Sequence, residues 1–310
     1  MHLVWAREHN RVAAEVARGF PKFDDQEIFE LARHIVAAEF QAVVYYEFLP
    51  ALTGSVLPPF KAYNPKVDPR ISTDFATVGF RVGHTLLTPV VGSVNEFGKT
   101  VNETLLRDAF FEPDAFVREG IDNLFRSMIS RSANEIDAGV TGEVRNFLIG
   151  DENSDDQLDL VALNIQRGRD HQVPTCNDVR RALKLTPFTT FTQVTSNAKI
   201  VRALKIAYKN KIEAMDAWIC GIAEDNVTGS SLGELFQTII RGQFTRLRDG
   251  DRFYFENPEY FKKDQKFLPA VSRLFKTVKF QGKVSLFREI ILDNTGIKPT
   301  FIKQGGPFFL

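Results

Sequence analysis

The chain has 310 residues, 44% hydrophobic and 25% charged, which is the balance of an ordinary globular protein with room for a substantial core. Lys and Arg total 39, as do Asp and Glu, so no net field points to nucleic acid or to an anionic membrane as partner. Cys176 and Cys220 are too few for a disulfide framework and lack metal-ligand spacing, which leaves the redox compartment open. No apolar run reaches the length of a membrane span, and Met1 to His9 meets charge too early for a secretory signal.

The opening residues read as the inside of a helix. Residues 25–48 give the clearest helical period, with Ile28, Ala32, Ile35, Val36, Phe40, Val43 and Val44 recurring at three- and four-residue steps. Asp24 and Glu27 form a capping-box start, and Pro50 with Thr53-Gly54 closes the run. Residues 55–72 hold four prolines and little periodicity, which predicts a long ordered loop. Helical patterns return over roughly 74–90, 113–132, 156–170, 194–208, 213–222 and 231–247. Residues 278–287 carry the best of the sparse strand signals. The acidic run from Asp151 to Asp159 does not match a calcium loop, and reads as a solvated loop feeding a helix N-terminus. No repeat or linker is visible, so the expectation is one mainly α domain over residues 1–310. The 28 phenylalanines suit large apolar cores or pockets.

Chemistry concentrates in two short runs. Phe80-Arg81-Val82-Gly83-His84 sets a histidine one helical turn after an arginine, on a face both can share. Gly79 and Gly83 weaken a helix there, and such a pair suits the close approach of something bulky, such as a planar macrocycle. A hydrogen-bonded core histidine at a tight helix crossing explains that segment equally simply. Leu163-Asn164-Ile165-Gln166-Arg167 adds what an iron-bound imidazole needs. An asparagine carbonyl can accept the ring's other N–H without adding a full charge. Arg81 and Arg167 can each reach a haem propionate, because a guanidinium recognises a carboxylate well. Arg169, Asp170 and His171 read instead as ion pairs and caps.

These runs belong to a wider pattern. Arg7-Glu8-His9-Asn10-Arg11, Ala32-Arg33-His34-Ile35-Val36, Phe48-Leu49-Pro50, Phe80 to Thr85 and Leu163 to His171 stand in order along the chain. Pro174 with Asn177-Asp178-Val179-Arg180, Gln243 to Tyr254, and Asp293-Asn294-Thr295-Gly296 continue the series. Across almost its whole length the chain resembles the animal-type haem peroxidases. That resemblance implies a mostly helical fold and a haem b whose iron is bound by His84. It implies Asn164 behind the imidazole, with Arg81 and Arg167 near the propionates. It also implies hydrogen peroxide as oxidant and a halide or small organic molecule as donor, in proteins that are mostly secreted. Full-length relatives can attach the haem covalently and hold calcium. The distal histidine, peroxide-cleaving arginine, calcium loop and haem-esterifying acids have no counterpart in these residues, and neither His2 nor His9 takes such a role. The expected function is the proximal half of a peroxidase. A non-catalytic haem-binding or adhesive relative is the alternative, although no Arg-Gly-Asp tripeptide is present. A fatty-acid dioxygenase ranks lower. Cyclooxygenase-like enzymes carry a tyrosine three residues before the proximal histidine, where this chain has Arg81.

Overall fold

The computed structural model describes residues 1–148 and 157–308. Helices α1 (His2–Gly19) and α2 (Asp25–Val43) pack side by side, and α2 runs through a π turn, Val44–Phe48, into α3 (Leu49–Thr53). The Asp24 capping box forms as the sequence predicts, with Glu27 N–H donating to Asp24 Oδ1 at 2.8 Å. Gly54, at φ +80°, ends the run. By length and composition this Asp25–Thr53 run is apolar enough to cross a bilayer, which corrects the reading that no apolar run reaches that length. Its stripe of Leu31, Ile35, Ala38, Ala42 and Leu49 is nonetheless buried against the rest of the protein, as in a core helix.

The expected helix over 74–90 is broken. It divides into α4 (Thr73–Thr77) and a 3-10 turn, Gly79–His84, and Val90 already starts a strand. The break falls at Val78, whose backbone lies outside the helical region. A Cβ at Gly79 would stand 2.7 Å from Ile239, so tertiary packing selects the glycine there. Strands β1 (Val90–Val94) and β2 (Thr100–Leu105) form an antiparallel hairpin that the sequence reading missed. Helices α5 (Leu106–Ala109), α6 (Pro113–Glu119), α7 (Ile121–Ser130) and α8 (Gly142–Arg145) follow. Gly120, at φ +76°, splits the expected 113–132 helix in two.

Of the acidic run, Asp151, Glu152, Asp155 and Asp156 lie outside the described residues. Asp159 caps α9 (Leu160–Asp170), accepting from the N–H groups of Val161 and Ala162. The chain continues through α10 (Cys176–Ala182), α11 (Ala198–Ala207), α12 (Ala217–Ala223), α13 (Glu234–Asp249), α14 (Pro269–Lys279) and α15 (Leu286–Asn294). The strand expected over 278–287 is corrected: those residues end α14, turn, and begin α15. The left-handed residues Gln281 and Gly282 make that turn, which no strand accommodates. Cys176 and Cys220, both fully buried, form one disulfide that ties α10 to α12.

Polar side chains of α13 hold the 55–72 loop in place. Arg241 donates to Ser55 O and Val56 O, and Arg248 donates to Pro58 O. Fully buried Gln243 accepts from Ser72 N–H and donates to Arg70 O. The Gln243 to Tyr254 motif therefore includes the clamp that sets where α4 begins.

Glu47, in the π turn, is fully buried and caps α15. It accepts from Leu286 N–H, Phe287 N–H and Ser285 Oγ. Burial pushes its carboxyl up to about 7, against the pull of those three donors. The native state therefore keeps a proton that the unfolded chain gives up near its ordinary carboxylate value. Stability falls as pH rises from about 4.5 to about 7, by on the order of 3 kcal/mol from this group. Glu47→Gln keeps two acceptances and donates to Ser285. Urea unfolding at pH 5 and pH 7.5 is expected to show a flatter pH dependence than the parent; equal slopes would contradict this account.

Candidate functional site

The 3-10 turn carries Arg81 and His84, and α9 carries Asn164 and Arg167. Phe75, Phe80 and Phe244 pin the turn to α13, with ring centroids 4.7 to 5.9 Å apart. Positions three apart eclipse in a 3-10 helix, so Arg81 and His84 stand on one face. Buried Val82 points the opposite way, into the core.

Asn164 is fully buried, and both ends of its amide are used. Its Nδ2 donates to His84 Nδ1 at 2.9 Å, and its Oδ1 accepts from Arg81 Nη1 at 2.6 Å. Arg81 and His84 thus meet opposite ends of one amide, with its nitrogen facing the imidazole. A guanidinium can only donate, so Arg81 takes the oxygen and the ring meets the amide nitrogen. Nδ1 then accepts, and the neutral imidazole carries its proton on Nε2. Burial, and then the charge of Arg81, hold His84 below the usual imidazole range, so the ring is neutral at pH 7.

Burial, and then the nearby positive charge of Arg167, lower the pKa of Arg81. Among the described residues neither guanidinium pairs with a carboxylate. The other motif residues serve the fold. Arg169 pairs with Asp216 at 2.9 Å, Gln166 donates to Asp170, and His171 caps the end of α9. Asn177 donates to Phe188 O and Glu213, while Arg180 is buried between Glu224 and Glu234. His34 stacks on Tyr260, and His9 packs against Phe29.

The family model for the animal haem peroxidase domain matches residues 1–272. The chain belongs to the animal haem peroxidase family. It is 37% identical to Peroxinectin A of Dictyostelium discoideum over 259 residues, which cover 84% of this chain and 48% of that protein. It is 35% identical to mouse (Mus musculus) Myeloperoxidase over 311 residues, covering 96% of this chain and 41% of that one. The solved structure of Peroxidase A from D. discoideum superposes with a TM-score of 0.86 at 32% identity, covering 96% and 55% of the two chains. The chain thus spans less than half the length of either of these two curated relatives. A fatty acid alpha-dioxygenase of Arabidopsis thaliana matches at TM-score 0.74 and 19% identity, a likeness of fold alone.

The residues in this site fit the flat, dianionic group that the family name implies. His84 Nε2 makes no hydrogen bond among the described residues. A Cβ built at Gly83 would meet nothing within 4 Å, so the surface beside the imidazole is open. Phe80, on the turn that carries His84, and Leu163, on the helix that carries Asn164, are 44% and 40% exposed, which leaves apolar area on both elements. The two arginines without carboxylate partners supply the matching charge.

Proposed function

We propose that this chain forms the proximal side of a haem peroxidase centre, in which His84 Nε2 would hold the iron of haem b. Asn164 sets the ring, and Arg81 and Arg167 bind the two propionates. When bound, the haem supplies two-electron oxidation by hydrogen peroxide and oxidation of a halide or small organic donor in return. The observation that carries the reading is a neutral imidazole, anchored at Nδ1 by a buried amide, beside two arginines with no carboxylate partner among the described residues.

The protein groups have definite tasks in this reading. Ligation needs the lone pair of Nε2, so the imidazole proton must sit on Nδ1. Asn164 must then turn its carbonyl to the ring, which takes the acceptor away from Arg81. Arg81 is thereby released towards a carboxylate of the cofactor. Peroxide cleavage also needs a base and a cation on the other side of the macrocycle. His9 and His34 are held in the packing around α1 and α2, so this chain is assigned the proximal tasks only.

The test is a titration of the purified chain with haemin, read by its Soret band, followed by peroxide-dependent oxidation of a phenolic dye. A Soret band without dye oxidation would assign the chain to haem binding without turnover. Asn164→Ala is expected to keep haem but with affinity or activity reduced about 10–100-fold and a shifted reduction potential. An unchanged potential and spin state in that variant would count against the pairing.

A further inference from the structure

Overall neutrality hides a local asymmetry. No aspartate or glutamate lies between Asp178 and Glu213, a stretch that carries Arg180, Arg181, Lys184, Lys199, Arg202, Lys205, Lys209 and Lys211. The structure neutralises only the first two. Arg180 is buried between Glu224 and Glu234, and Arg181 pairs with Asp178 and Glu213. The other cations are exposed and make no ion pair among the described residues.

Their placement is ordered. Lys199, Arg202 and Lys205 occur every third residue of α11, so neighbours in the series stand beside each other along the helix. Val201 and Leu204 are buried and hold the opposite face against the protein. Lys209 and Lys211 follow at the helix end. The Arg181–Glu213 contact at 3.0 Å brings the segment carrying Lys184 to the same end. The result is a cationic track along a ten-residue helix, about 15 Å long.

We propose that this track binds a linear sulfated polysaccharide, a function independent of the haem reading. A regular row of mobile ammonium groups suits a chain bearing one anionic group after another. The only large apolar side chain exposed on α11 is Ile206, too little to anchor a bilayer-inserting face. Single-stranded nucleic acid would want a free aromatic platform, but Tyr208 is partly buried with its hydroxyl donating to Asp216. The Cys176–Cys220 disulfide between α10 and α12 suits oxidising surroundings, where sulfated glycans are found.

The experiment measures binding of a heparin oligosaccharide to the whole chain by calorimetry at two salt concentrations. The triple variant Lys199→Gln, Arg202→Gln, Lys205→Gln is expected to weaken binding by about tenfold or more, and added salt to weaken the parent more steeply than the variant. All three positions are exposed, so thermal unfolding should be unchanged. A control triple, Lys22→Gln, Lys61→Gln, Lys66→Gln, removes the same charge from exposed positions elsewhere and should change affinity by less than about twofold. The proposal is overturned if the parent does not bind, if the control loses as much as the α11 triple, or if phosphatidylserine vesicles or single-stranded DNA bind more tightly than heparin.

Discussion

Replacing His84 with alanine is expected to weaken haem binding by more than the about 10–100-fold that losing a partner behind a metal ligand typically costs. The imidazole is the axial bond itself in the proposed site, whereas Asn164 only orients it. His84 is half-buried in a turn held chiefly by Val82, Phe75 and Phe80, so the substitution should leave the fold intact. Far-UV circular dichroism checks that point. The space vacated is open to solvent next to Gly83, so free imidazole should enter it and restore the Soret band. A variant that binds haem with parental affinity, or with an unchanged iron–histidine vibration, would refute His84 as the ligand.

The largest stability effect is expected at Arg273. Glu8 and Glu39 are both fully buried, and Arg273 Nη2 reaches them at 2.9 and 3.3 Å. Arg11 and Asn294 also donate to Glu8, so Glu8 keeps partners without Arg273. Among the described residues Arg273 is the only cation in an ion pair with Glu39, and the second Glu39 oxygen is buried without a hydrogen-bond partner. Removing one member of a buried ion pair costs about 3–5 kcal/mol, and the partial exposure of Arg273 and the remaining donors on Glu8 put Arg273→Ala near the lower end, about 3 kcal/mol. Burial, and then the charge of Glu8, hold the Glu39 carboxyl well above the usual carboxylate range. Arg273 pulls that value down, so the variant holds the Glu39 proton to higher pH than the parent does. The deficit should therefore narrow as pH falls. Urea unfolding at pH 7.5 and pH 5 measures both effects, and a deficit below about 1 kcal/mol, or one independent of pH, would contradict the account.

Features whose causes lie close in sequence were legible before the structure. The Asp24–Glu27 box and the helical period of α2 depend on neighbours a few residues away and form as expected, although Phe40 of the predicted stripe is exposed. The misread elements answer to distant partners. Gly79 is there for Ile239, and any side chain at Gly282 would collide with the Tyr46 carbonyl, so a turn forms where alternating residues imitated a strand. The hairpin was hidden because Gly92 interrupts its first strand, and space there is set by Ser127 and Arg131. Cys176 and Cys220 stand 44 residues apart, with no spacing that predicts a bond. Residue type alone was enough to nominate His84, Asn164, Arg81 and Arg167. The direction of the Asn164 amide was not readable, because it depends on which donor reaches the oxygen first in space.

The acid cluster also bears on where this protein can be cut. The family match stops at residue 272, yet Glu8 and Glu39 find their cation at position 273, and Glu8 finds its amide at 294. Arg7 in the first helix donates to the backbone oxygen of that same Asn294 at 2.8 Å. A version trimmed to the family boundary would strip the opening helix of its partners at 273 and 294, leaving Glu39 without its cation and Glu8 with Arg11. Expression boundaries for this protein belong beyond the turn at Gly296, outside the residues that the family model matches.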